Sequence, residues 1–175
     1  MLIAVVRIAG ALFVLRWALF GSVFAIAIDL SDLFLMNLLN LGGVSDYQSF
    51  DKTLDLAYMA TFLVVALRWT GITRNIAIAL FVYRLVGVLL FEFSGNRWVL
   101  LGFPNIFEFW IVWIAFAHHF RPNALPLSLK QAAPSLIALS LLKELHEFVL
   151  HGGKWLDQYR AVDVVHNFWK WLTVG

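Results

Sequence analysis

Long apolar runs separated by short polar turns are the feature that most constrains this chain. The runs cover residues 2–28, 54–70, 76–93, 106–120 and 135–151. A helix needs about 20 mostly apolar residues to cross a bilayer, and it satisfies its own backbone hydrogen bonds there. The chain is 62% hydrophobic and 14% charged, whereas soluble domains average about 25% charged residues. The sequence therefore predicts an all-α, polytopic transmembrane helix bundle of about five spans, forming one membrane domain over residues 1–175.

Two shorter helices are predicted beside the spans. Aspartates interrupt the apolar pattern at residues 29–32, and the apolar stretch 33–41 ends at a glycine pair. Because this stretch is too short to cross a bilayer, we predict a short re-entrant or interfacial helix there. The tail, residues 154–172, carries aromatic side chains at helical spacing. It is predicted to be an amphipathic interfacial helix.

Capping and turn residues predict several helix boundaries. Ser45 and Gln48 fit a capping box, so a helix is expected to begin there and run into the second span. Residues 71–75 and 94–97 read as turns. Pro134 is expected at the first helical position of the fifth span, where its missing N–H costs nothing.

The basic residues of the turns suggest an orientation. Arg68 and Arg74 flank the turn between the second and third spans, and Arg121 and Lys130 lie between the fourth and fifth. The connection between the first and second spans holds only Lys52 among four aspartates. Cytoplasmic loops are enriched in Lys and Arg. We therefore predict a multi-pass membrane protein whose N-terminus and two basic loops are cytoplasmic.

The composition excludes several classes of function. The chain has no cysteine, which removes disulfides, thiol catalysis and cysteine-ligated metal. Its basic residues are scattered singly, so no nucleic-acid partner is predicted. Phosphate-binding loops, nucleophile elbows and dinucleotide fingerprints are missing from the sequence.

The sharpest polar signal lies in the last long run. Five ionisable residues fall within residues 143–151: Lys143, Glu144, His146, Glu147 and His151. If this run spans the bilayer, each charge costs about 2.5–3.5 kcal/mol near its centre. Four of the five share one broad helical face, His146 being the exception. Such charges need a partner, a cavity or water.

Two residues of other spans are the first candidates for partners. Arg84 lies in the middle of the third span, and Glu108 lies in the first turn of the fourth. Ion matching sets Arg84 and Lys143 against the carboxylates. The predicted buried polar network is Arg84, Glu108, Lys143, Glu144, Glu147 and His151. Two other readings stay open: charge pairs that only hold helices together, or a fifth segment that lies outside the bilayer with its charges in water.

Four further residues are weaker candidates for a site: Asp51, Asp55, Glu92 and His119. Asp51 and Asp55 share a face at the start of the second span. Glu144, Glu147 and His151 could converge on a metal, and His119 could ligate haem. The zinc and di-iron patterns are missing, however, so no metal or other cofactor is predicted.

These observations favour a non-enzymatic membrane protein, either a complex subunit or a small transporter-like protein. Its buried charge network would relay protons or bind an ion. The alternative is a membrane-embedded enzyme acting on a lipid or isoprenoid substrate through Asp51 and Asp55, or through Glu144, Glu147 and His151. The expected partners are membrane lipids together with copies of the chain or other membrane subunits.

Overall fold

The regular secondary structure of the described chain is entirely helical. The computed structural model describes the backbone of residues 2–38, 47–96, 98–147, 167 and 169–173, and the side chains of 5–28, 54–96, 98–146, 167 and 169–173. The helices are α1 (Leu2–Val14), α2 (Ala18–Leu38), α3 (Tyr47–Ala66), α4 (Gly71–Ser94), α5 (Trp98–Gly102), α6 (Ile106–Phe120) and α7 (Leu129–Glu147). A short 3-10 turn over Pro122–Ala124 precedes α7. The all-α prediction is confirmed for these residues. Most of the tail, 154–172, lies outside them.

The predicted first span, residues 2–28, is wrong because the chain reverses in its middle. Helix α1 ends at Val14, residues 15–17 form a turn, and α2 packs back against α1. Glycines make the close approach possible. A Cβ on Gly10 would lie 2.4 Å from the Ile28 side chain, and one on Gly21 would lie 2.5 Å from the Val14 backbone. Arg16, which lies within the apolar run 2–28, is exposed at the turn.

The predicted interruption at residues 29–32 is also wrong. Helix α2 continues through both aspartates to Leu38, so residues 33–38 do not form a separate interfacial helix. An interior Asp costs a helix well under 1 kcal/mol relative to Ala, far less than Pro does. The glycine pair that was expected to end the short helix lies outside the described residues, as does Ser45 of the predicted capping box.

Two other helices begin earlier than the sequence predicted. The predicted turn 71–75 is the first turn of α4. Helix α7 begins at Leu129 and contains Pro134 in its interior. A reciprocal cap explains this start: the Gln131 N–H donates to Ser128 Oγ at 3.4 Å, and Gln131 Oε1 accepts the Leu127 N–H at 2.8 Å. These contacts satisfy donors that a helix start otherwise leaves open.

Helix α6 is the centre of the bundle. It packs against α2, α3, α4 and α7, and its Phe107, Trp110, Ile111 and Ile114 side chains are fully buried. The indole N–H of Trp110 donates to the Thr73 carbonyl at 3.1 Å, which fixes α6 against the start of α4. Because α6 touches four helices, polar groups on it are the best placed to join distant parts of the chain.

Three turns meet at one end of the bundle, here called the basic end and defined by Arg16, Arg68, Arg74, Arg121 and Lys130. Arg68 Nη1 donates to the Leu15 carbonyl at 2.7 Å, joining the 15–17 and 67–70 turns. Trp69 stacks on His118 near the end of α6, with ring centroids 5.7 Å apart. Helix α1 begins on the side away from this end. The structure therefore separates the start of α1 from the two basic loops that were predicted to share its side.

Two segments of the described chain are long and apolar enough to cross a bilayer. They are Gly71–Ser94, with mean hydropathy 2.2, and Trp98–Phe120, with mean hydropathy 1.8. The other apolar helices, Val5–Val14, Ala18–Ile28 and Leu54–Ala66, are shorter within the described residues. By length and composition, two segments of the described residues could therefore cross a membrane, and the five-span bundle is not confirmed.

Candidate functional site: buried charges beside a helix break

The segment Trp98–Phe120 is interrupted at residues 103–105, between α5 and α6. Pro104 has no N–H to donate and disfavours a helical conformation in the residue before it. The chain accordingly leaves the helix at Phe103 and resumes it at Ile106. Pro104 and Asn105 are both buried. The break therefore lies inside the bundle, where its irregular backbone needs partners from the protein.

Helix α4 supplies those partners. The Tyr83 hydroxyl donates to the Gly102 carbonyl, and Arg84 Nη1 donates to the Phe103 carbonyl at 2.7 Å. Gly87 allows the approach, since a Cβ there would lie only 2.2 Å from that of Phe103. Arg84 follows the first residue of α4 by 13 positions and precedes the last by ten. The break thus faces the middle of α4.

An ion pair joins α6 to α7 just after the break. Lys143 Nζ lies 3.6 Å from Glu108 Oε2, and each side chain is only 6% exposed. The ammonium group is also 5.1 Å from the centre of the Phe109 ring and 3.4 Å from His146 Nδ1. Among the members of the predicted polar network whose side chains are described, namely Arg84, Glu108, Lys143 and Glu144, these are the two that the structure brings together.

A second buried ion pair joins α1 to α3. Arg7 Nη2 donates to Asp55 Oδ1 at 2.6 Å, and the side chains are 3% and 12% exposed. The guanidinium group also lies 6.0 Å from the centre of the Tyr58 ring, one helical turn further along α3. Asp55, a weaker candidate in the sequence, is therefore buried and ion-paired.

Asn105, at the break, connects Glu108 of one ion pair to Tyr58, whose ring lies beside Arg7 of the other. Its Nδ2 donates to Glu108 Oε2 at 3.1 Å and to the Tyr58 hydroxyl at 3.3 Å. The resulting four-helix network joins α1, α3, α6 and α7 and consists of Arg7, Asp55, Tyr58, Asn105, Glu108 and Lys143. Its two positive and two negative side chains balance. Chemically, hydrogen bonds and an ion pair connect Tyr58, Asn105, Glu108 and Lys143, and a cation–π contact of 6.0 Å connects Tyr58 to the Arg7–Asp55 pair.

Arg84 stands apart from this network. Its side chain is buried, at 5% exposure, yet it forms no ion pair within the described part of the chain. Its contact is the Phe103 carbonyl, and the buried Nε atom has no hydrogen-bond partner among the described residues. The expected pairing of Arg84 with Glu108 or Glu144 is not present, because Glu108 pairs with Lys143 and Glu144 is exposed.

The remaining candidates lie elsewhere. Glu92 is exposed near the end of α4. His119 is exposed at the basic end, where its ring meets those of Phe20 and Phe120 edge-on. The side chains of Asp51 and Glu147, and all of His151, fall outside the described residues. Across the part of the chain that is described, no three His, Cys, Asp or Glu side chains are grouped to hold a metal ion.

Sequence reasoning left three members of the four-helix network out of the candidate site. Arg7 was visible as a charge inside an apolar run, which is a signal in its own right. Asn105 shares a helical stripe with Glu108, and Tyr58 follows Asp55 by three positions. The pairing of Arg7 with Asp55 could not be read from spacing, because the two residues are 48 positions apart.

A function for this chain has to be argued from the site itself. The site consists of two matched ion pairs, an asparagine and a tyrosine between them, and one arginine beside a broken helix. No family model, curated protein or solved structure matches this chain.

Proposed function

We propose that this chain is a small, non-enzymatic, multi-pass membrane protein of the transporter or complex-subunit type, whose buried charge network relays protons or binds an ion. The observation that carries the proposal is the four-helix network beside the helix break. Ionisable residues inside membrane segments are costly, and they commonly mark ion or proton pathways. Broken helices in transporters likewise place binding groups within the membrane.

The surface of α4 supports a location in lipid. Only 33% of the most hydrophobic stretch of this helix is buried within the bundle, whereas the core helix of a soluble protein is mostly buried. Large apolar side chains are exposed along α4, among them Val82, Val86, Leu89 and Phe93. A soluble monomer rarely exposes such a patch. Lipid tails, a second copy of the chain or another membrane subunit would cover it.

The basic end supports an orientation with that end in the cytoplasm, following the excess of Lys and Arg in cytoplasmic loops. The reversal at residues 15–17 changes what this implies for the N-terminus. Since α1 begins away from the basic end, the same rule now favours an N-terminus on the opposite side. The predicted cytoplasmic N-terminus would require the basic end to face outward.

A relay or ion site accounts for the break better than helix association alone. Charge pairs can hold helices together without interrupting one of them. Here the interruption brings Asn105 between Glu108 and Tyr58, and the Tyr58 ring lies 6.0 Å from the guanidinium group of the second ion pair. Lys143 extends the chain toward His146. For the alternative of a lipid-modifying enzyme, the Asp55 carboxylate that it would use is bound to Arg7.

Proton flux into proteoliposomes tests the proposal. The wild-type protein should acidify the lumen, reported by a trapped pH-sensitive dye, when a potassium diffusion potential is applied. Glu108→Gln should lower this rate by about tenfold or more, since a neutral amide cannot accept and release a proton. Glu92→Gln, at an exposed position, is the matched control and should keep the wild-type rate.

Two outcomes count against the proposal. Equal flux in the wild type and in folded Glu108→Gln would show that Glu108 carries no proton or ion. If Glu108→Gln fails to insert or unfolds while the wild type shows no flux above empty vesicles, the network serves only to hold helices together.

A further inference from the structure

Among the buried charged residues that the structure describes, Arg84 is the one without an ion-pair partner. Arg7 is matched by Asp55, and Lys143 is matched by Glu108. Arg84 is equally buried, but no carboxylate of the described residues lies within ion-pair distance of it. A buried charge that lacks an opposite charge is strongly unfavourable, and near the centre of a membrane helix an arginine is costly even on insertion scales. An opposite charge is therefore expected at Arg84.

The open edge of the guanidinium group shows what kind of group fits. Arginine has five N–H donors in a planar fork. Arg84 uses Nη1 for the Phe103 carbonyl, while Nε is buried without a partner among the described residues. Nε and Nη2 together form the side-on edge that binds two oxygens of one oxyanion in parallel. This edge forms no hydrogen bond with the described residues.

Asn105, the residue before the first residue of α6, adds a second open group. Its Oδ1 is buried and has no hydrogen-bond partner in the described chain. The amide orientation is fixed by Glu108, because an amide oxygen would not face the carboxylate oxygen that Nδ2 contacts. Arg84 binds the carbonyl two residues before Asn105, so both open groups lie at the N-terminus of α6. The backbone N–H groups of such a terminus also favour an anion.

We infer that Arg84, Asn105 and the N-terminus of α6 form a binding site for a small oxyanion that carries at least one hydroxyl group, such as bicarbonate, dihydrogen phosphate or a hydroxy acid. The oxyanion takes the side-on edge of Arg84, and its O–H donates to Asn105 Oδ1. The ligand is small because both groups are buried within the packed bundle. The inference deepens the proposed function, on which it rests for the idea that the bound anion is the transported species.

Binding of defined anions to the purified full-length protein tests the inference. Titration calorimetry in a neutral detergent would use bicarbonate, phosphate and lactate in turn, with acetate as the anion that lacks a hydroxyl group. At least one hydroxyl-bearing anion should bind saturably with Kd of about 1 mM or below, and acetate should bind more weakly. Arg84→Gln should weaken the binding by about tenfold or more. Arg16→Gln, at the exposed turn, should leave it unchanged.

A second variant and a direct signal guard against misfolding. Arg84→Lys keeps the positive charge but lacks the side-on edge, so it should also bind the anion more weakly. If both variants unfold, the Nε–H resonance of an arginine in the ¹⁵N-labelled wild-type protein should shift saturably with the anion and with the same Kd. The absence of any shifted arginine resonance would overturn the site.

Reconstitution in defined lipids distinguishes a soluble anion from a phospholipid headgroup as the source of the oxyanion. The wild type is reconstituted in nanodiscs of zwitterionic or anionic phospholipid, and its thermal unfolding is measured with and without the soluble anion. Stabilisation by the soluble anion in zwitterionic lipid is expected. Stabilisation by anionic lipid alone, or no saturable binding of any soluble anion, overturns the inference. Anion binding without proton flux in the vesicle assay would contradict the proposed function but not the oxyanion site. Proton flux without anion binding would contradict the oxyanion site but not the proposed function.

Discussion

At the basic end, Arg16 and Arg68 lie exposed at helix turns, whereas across the bundle Arg7 and Arg84 are buried. The exposed guanidinium groups need no carboxylate partner, because water and dissolved ions screen their charge. The buried arginines differ from each other as well, since Arg7 is paired with a carboxylate and Arg84 meets a carbonyl. The same type of side chain is thus exposed at helix turns at one end, ion-paired inside the bundle at Arg7 and, by inference, ligand-binding beside the helix break at Arg84.

The comparison has an energetic consequence. Removing an exposed arginine costs a chain little, since surface ion pairs and hydrogen bonds contribute about 1 kcal/mol or less. Removing the partner of a buried arginine leaves a charge in an apolar interior, which costs about 3–5 kcal/mol. Substitutions at the exposed basic end and at the buried ion pair should therefore differ severalfold in their effect on the free energy of unfolding, although each changes one charge.

The largest effect is expected for Asp55→Ala. It leaves the Arg7 guanidinium buried without its carboxylate, and the free energy of unfolding should fall by about 3–5 kcal/mol. Unfolding in mixed micelles by a denaturing detergent measures this. The exposed Glu92→Ala is the control and should stay within about 0.5 kcal/mol of the wild type. The double variant Arg7→Met with Asp55→Leu should recover most of the loss, and a loss as large as that of Asp55→Ala would mean that the pair's charge is not what matters.

A smaller effect is expected for Gly87→Ala, which presses α4 away from the helix break. Its Cβ would lie 2.2 Å from the Phe103 Cβ, and overpacking of this kind costs about 1–3 kcal/mol. Gly102→Ala is a matched control one residue before Phe103, because nothing lies within 4 Å of a Cβ there. Equal stability of the two variants would show that α4 does not hold the break in place.

The smallest effect is expected at the basic end, for Arg68→Ala. It removes one exposed hydrogen bond to the Leu15 carbonyl, so the free energy of unfolding should fall by about 1 kcal/mol or less. The same micelle assay measures it. A loss as large as that of Asp55→Ala would erase the distinction between the two ends.

The sequence was informative where a local rule decides the structure. Gly95 ends α4 in the left-handed conformation, with φ 64°, as the predicted turn at 94–97 requires. Helix α6 covers the residues 106–120 that were expected to form the fourth span. The start of α7 is also encoded locally, since Ser128 and Gln131, which precede Pro134, form a capping pattern.

The sequence was uninformative where packing decides the structure. The reversal at residues 15–17 contains no proline or glycine, so hydropathy averaged over 2–28 hides it. Lys143 pairs with Glu108, and Arg84 contacts a backbone carbonyl, because of the way α4, α6 and α7 pack against one another. Charge matching along the chain could suggest partners, but it could not tell which arginine would be left over.

The central claim is that α4 and the broken α5–α6 segment cross a membrane with the charge network between their ends. The chain has no cysteine, so single cysteines can be placed without a background. Asn96→Cys lies at the turn between α4 and α5, and Asn123→Cys lies in the exposed turn at the basic end. Labelling intact cells with a membrane-impermeant maleimide, before and after permeabilisation, should show Asn96→Cys reacting from outside and Asn123→Cys only after permeabilisation. Reaction of both cysteines from the same side would contradict the account.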